Sequence, residues 1–107
     1  MFNNLAEIAK LMSKAKDIQS NLAKFKDEMP SLEFTAVAPG GAVSVTVSGD
    51  FQIKSIHVAD DAPAGREELE TLLAAAVNDA LNAAKTNARM KMGEITGGLG
   101  MDLPGIF

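Results

Sequence analysis

Between Phe2 and Met29 the chain runs without a glycine or a proline, and Ile8, Leu11, Ala15, Ile18, Leu22, Phe25 and Met29 recur at alternating spacings of three and four. This is a heptad seam, and it predicts one long amphipathic helix. Pro30 ends it, because the residue before a proline is pushed out of the helical region. A helix of that length is about 40 Å long, and it must either find cover for its apolar stripe or leave the stripe in water.

Beyond Pro30 the periodic segments are shorter. In "AVSVTVS" Val43, Val45 and Val47 alternate with Ser44, Thr46 and Ser48, the period of a strand. "SLEFTAVA" precedes it across "PGG", and "FQIKSIHV" comes after it across "GD", both turn signals. Three antiparallel strands joined by tight hairpins are expected. In the third, Phe51 and Ile53 point one way by alternation, and Ile56 and Val58 the other. Either a bulge shifts the phase or both sheet faces are covered.

From Arg66 to about Met92 a second long helix is expected, with Glu67, Glu68 and Glu70 at its start and Lys85, Arg89 and Lys91 near its end, as the helix dipole favours. Leu69, Leu73, Ala76, Ala80 and Ala83 form its main seam. The last fifteen residues, 93–107, are rich in glycine and proline and without period, and read as a flexible tail behind a single domain spanning 1–92. The fold class is therefore α+β: long helix, three-stranded antiparallel meander, long helix.

Both helices outrun the sheet, since a strand of seven residues spans only about 23 Å. Ala74 and Ala75 lie on the far side of the second helix, near Asn78, where small groups permit close approach. Together with a sheet that is apolar on both faces in one of its two readings, this favours a homodimer with projecting helices, in which a second copy supplies the missing layer. The expected contact set is Val43, Val45, Val47, Ala74, Ala75 and Asn78.

Composition removes much of the enzyme menu. The 107 residues contain no cysteine and one histidine, so disulfides, thiolate chemistry and His-pair metal motifs are excluded. No enzyme activity, cofactor or metal is expected. His57 has no nucleophile partner, Asp60 and Asp61 suit a turn before a helix, and "TGGLG" comes after a helix without preceding another, unlike a phosphate loop. No stretch is long and apolar enough for a bilayer and the start lacks secretory-signal organisation, so a soluble, cytoplasmic protein without membrane contact is expected.

The net charge of −4 opposes the simplest picture of a nucleic-acid binder, but the charge is segregated. Lys10, Lys14 and Lys24 fall within about 80° of one another at the 100° step of a helix, on the side opposite the seam and joined by Asp17. Lys85, Arg89 and Lys91 occupy a stretch with no acid between Asp79 and Glu94. If the start of the first helix lies near the end of the second, Lys10, Lys14, Lys16, Lys85, Arg89 and Lys91 share a tip; if the helices run parallel, Lys24 and Lys26 replace the first group and the patch weakens. No aromatic side chain interleaves with these bases, so duplex DNA read through its backbone is the expected ligand rather than unpaired bases.

Taken in order, "LMSKAKDIQSNLAKFKDEM", "GGAVSVTVSGDFQIKSIHV", "LETLLAAAVNDALNAAKTNARMKMGEITGGLG" and "LPGIF" resemble the YbaB/EbfC family of bacterial nucleoid-associated proteins over nearly the whole chain. The resemblance implies a dimer with helices set like tweezers, nucleoid localisation and DNA binding of low sequence specificity, with an effect on DNA conformation and gene expression. It places that binding on the basic positions of the first helix and the late second helix. The alternative function is a protein-interaction scaffold whose projecting helices hold another helix by their seams, without direct DNA binding.

Overall fold

A computed structural model describes residues 2–62 and 65–97, with side chains described from Asn4 onward. The order is α1 (Phe2–Glu28), a short 3-10 turn (Met29–Ser31), β1 (Glu33–Val37), β2 (Val43–Ser48), β3 (Ile53–Val58) and α2 (Arg66–Thr96). The strands form one antiparallel sheet in the order β1-β2-β3. The first hairpin turns at Pro39-Gly40, where the Gly41 amide donates to the Ala38 carbonyl at 3.0 Å. With φ of +89° at Gly40, this is a type II turn, which proline and glycine at its two central positions favour.

Register resolves the phase problem of β3. Val43, Val45 and Val47 pair with Val58, Ile56 and Ile53, and the pairing slips between Thr46 and Val47. The bulge gives β3 one extra residue, so Ile53, Ile56 and Val58 all lie on the face of the three valines. The sheet thus has one apolar face and one largely polar face, the latter carrying Thr35, Ser44, Thr46 and His57 with the exposed Val37. A sheet apolar on both faces does not form.

On the apolar face, Val43, Val45 and Val47 pack at 0% exposure against Ala76, Ala80 and Ala84 of α2. Alanine is what this contact requires, since it lets the helix backbone settle close on a row of branched side chains. The buried stripe of α2 continues to Ala88 at steps of four, whereas Ala83 is exposed. The expected seam through Ala83 is therefore shifted by one residue in its last part, because a run of steps of four winds around the helix and tracks the twisted sheet. α2 lies over β1 and β2 and leaves Ile53, Ile56 and Val58 at 50%, 48% and 41% exposure.

α2 also runs to Thr96 rather than Met92, passing through Gly93. The Thr96 hydroxyl donates to the carbonyls of Met92 and Gly93, and Gly97 closes the helix at φ +62°, the left-handed conformation in which glycine has no Cβ penalty. The rest of the expected tail, 98–107, lies outside the described residues.

The radius of gyration is 20.0 Å, against about 13 Å for a compact chain of this length. The excess comes from α1. Its final turns lie beside the end of α2, where Asn21, Lys24, Phe25 and Glu28 share a shallow cleft with Lys91, Glu94 and Ile95. Before Ile18 every described residue of α1 is exposed. The molecule measures 74 × 21 × 18 Å, too narrow for α1 to splay sideways, so its first half continues beyond the end of α2 as a single projecting helix.

Candidate nucleic-acid interface

The arm made by α1 and the last turns of α2 is positioned from its base. At the corner between α1 and β1, the Gly49 amide donates to the Leu32 carbonyl at 3.0 Å. A Cβ at Gly49 would stand 2.6 Å from the Met29 carbonyl oxygen, so glycine is what lets the second hairpin pass beneath the end of α1. Phe25 is 7% exposed and anchors α1 against α2.

The structure joins the two basic groups in an arrangement different from both sequence alternatives. The helices overlap only over their final turns. Lys24 and Lys91 line the same cleft together with Glu28 and Glu94, and Lys91 pairs with Glu94 at 3.6 Å. Lys10 and Lys14 sit on one flank of the projecting half of α1, together with Glu7 and Asp17, and Lys16 on another, near Met12 and Gln19. Lys85, half-buried, and Arg89, exposed, lie further back along α2. Lys10, Lys14, Lys16, Lys24, Lys85 and Arg89 make no ion pair among the described residues.

Charge is sorted along the long axis. α1 with the last part of α2, from Lys85 to Thr96, carries eight bases against five acids, a net +3; the rest of the chain carries two bases against nine acids, a net −7. Glu67, Glu68 and Glu70 lie in the first turns of α2, at the end away from the arm, and Asp60 and Asp61 in the turn after β3. An acidic chain thus holds a basic arm, and the local field rather than the total governs what approaches it.

Of the expected dimer contacts, Val43, Val45 and Val47 are spent on the core within one chain and have no surface to offer a second. Ala74 and Asn78 are exposed and Ala75 is half-buried. The open apolar surface that sequence reasoning passed over is β3, whose register was legible only once the bulge was placed. Among the described residues no group of His, Cys, Asp and Glu is arranged to hold a metal ion, and no described helix is long and apolar enough to cross a membrane.

A three-stranded meander between two long helices, with a basic arm at one end, defines a small α+β class, and comparison with known proteins makes the class specific. The profile of the YbaB/EbfC DNA-binding family matches residues 3–99. A nucleoid-associated protein of Xylella fastidiosa (strain 9a5c) is 40% identical over 97 residues, covering 91% of this chain and 89% of its own. One from Xanthomonas axonopodis pv. citri (strain 306) is 38% identical over 101 residues, covering 91% and 95%. The crystal structure of an uncharacterized protein from Helicobacter pylori superposes with a TM-score of 0.62 at 20% identity, over 71% of this chain and 90% of that one, a likeness of fold alone. The chain belongs to the YbaB/EbfC DNA-binding family.

Proposed function

We propose that this protein binds duplex DNA as a homodimer of the bacterial nucleoid, in the cytoplasm and without catalysis, gripping the phosphate backbone with its arms. The observation that carries the reading is the separation of a +3 arm from a −7 remainder within one elongated chain. Lys10 to Lys24 spans about 21 Å of α1, and Lys91 to Lys85 adds about 9 Å along α2. The basic positions are therefore strung over roughly one turn of duplex, about 34 Å. Contacts of this kind track the backbone and carry little sequence information. The names of the relatives from Xylella and Xanthomonas, nucleoid-associated proteins, support the location.

The homodimer is supported by the uncovered part of the apolar sheet face. Ile53, Ile56 and Val58 continue the valine core beyond the edge of α2, and Ala74 and Asn78 lie exposed on α2 itself. A second copy laid against these residues completes the layer that one chain lacks. Two arms then offer paired basic surfaces, a geometry suited to bending or bridging DNA.

The test is fluorescence anisotropy of a labelled duplex with wild type and with a variant carrying Lys10→Glu, Lys14→Glu, Lys85→Glu and Arg89→Glu. The variant is expected to keep its circular dichroism and to lose binding by at least about tenfold, a change of ~1.4 kcal/mol. Undiminished binding by the folded variant removes the arm from the interface. Absence of wild-type binding at low salt leaves the scaffold reading in place of this one.

A further inference from the structure

We propose that the projecting halves of α1 from two different particles pair antiparallel through Leu5, Ile8, Leu11 and Met12, so that one particle is tied to another by its arms. These side chains are 68%, 52%, 63% and 67% exposed. They occupy neighbouring turns of the projecting half of α1, where every residue from Asn4 to Asp17 is exposed among the described residues. Singly exposed apolar residues are ordinary, but four large ones contiguous on a lone helix form a binding surface.

The occupant is a second copy of the same helix because the pattern complements itself. In the heptad of this seam Ile8 is an a position, Leu11 a d, Met12 and Leu5 are e, and Glu7 and Lys14 are g. Antiparallel pairing centred between Ala9 and Lys10 sets Ile8 against Leu11 of the other helix and Leu5 against Met12, each twice. The same register brings Glu7 opposite Lys14 at both ends. Parallel pairing sets Glu7 beside Met12 and Lys14 beside Gln19, and forms no ion pair. Charge thus selects the antiparallel arrangement.

The contact spans only two to three turns, a small interface of the kind that is weak in isolation. It gains from repetition. If the homodimer reading holds, each particle has two arms, and a chain with two different self-complementary faces links dimers into rings or strings. The pairing itself requires neither that reading nor DNA.

The test exploits the absence of native cysteine. Ile8→Cys protein is mixed with Leu11→Cys protein, without DNA and at high concentration, and oxidised gently. The heterodisulfide between the two variants is expected to dominate, because only that pair approaches disulfide distance in the antiparallel register. Adding Glu7→Lys to both proteins should reduce its yield several-fold, as should adding Lys14→Glu, and adding both changes together should restore it. Homodisulfides in excess indicate parallel pairing, a statistical mixture indicates collision, and thiols that resist oxidation indicate a seam covered within its own dimer. Each of these results overturns the proposal.

Discussion

Ala83 and Ala84 differ by one position in a run of alanine, and the fold distinguishes them completely. Ala84 is fully buried against the sheet, and Ala83 faces water. Replacing Ala84 with leucine should therefore cost about 1–3 kcal/mol by overpacking, while Ala83→Leu should stay within about 0.5 kcal/mol of wild type; denaturant titration of both variants checks this. Spacing in the sequence put Ala83 in the seam instead, and nothing local corrects it, because alanine on either side of a helix satisfies helix propensity equally. Gly49 makes a sharper case. Its requirement comes from a carbonyl twenty residues earlier in the chain, at Met29, and no local pattern reveals that. Gly49→Ala is expected to lower the melting temperature by several degrees, corresponding to about 1–3 kcal/mol, and wild-type melting would show that the corner can open without cost.

Among the elements, the two helices and three strands were legible from local pattern: heptads in α1, alternation in β2, turn signals on either side of it, and acid-to-base polarity in α2. β3 was legible as a strand but not in phase, since a bulge changes which residues share a face without changing composition. Its consequence is functional. Once Val43, Val45 and Val47 are assigned to the interior, Ile53, Ile56 and Val58 become the surface available to a second chain. On the proposed homodimer, Ile56→Lys at this exposed site should leave the chain folded and shift it from dimer to monomer, read as a halved mass in light scattering. An unchanged mass would move the interface elsewhere. The overlap of α1 and α2 at their final turns was likewise beyond the sequence, because the seam of α1 continues past the point where α2 stops supporting it. Heptad spacing states that a stripe exists, not how much of it one partner covers.

At the scale of the whole molecule, the sign of the net charge is a poor guide and its distribution a better one. A dimer that presents two +3 arms, with six effective phosphate contacts, should show a slope of about −5 in log affinity against log salt. A slope near zero would be incompatible with backbone electrostatics as the source of affinity. In the proposed complex the acidic end would contribute by exclusion: repelled from phosphate, it would orient the particle so that the arms lead. Charge removal at the far end, through Glu67→Gln and Glu68→Gln, should therefore raise affinity modestly and flatten the discrimination between the two ends.

The most direct measurement places a photo-reactive label on a single introduced cysteine, at Ser13 on the arm or at Thr71 on the acidic half of α2, both exposed. With a duplex at low salt, the Ser13 label is expected to cross-link to DNA efficiently and the Thr71 label hardly at all. Equal cross-linking from both positions, or cross-linking from Thr71 alone, would contradict an arm-led grip on the backbone.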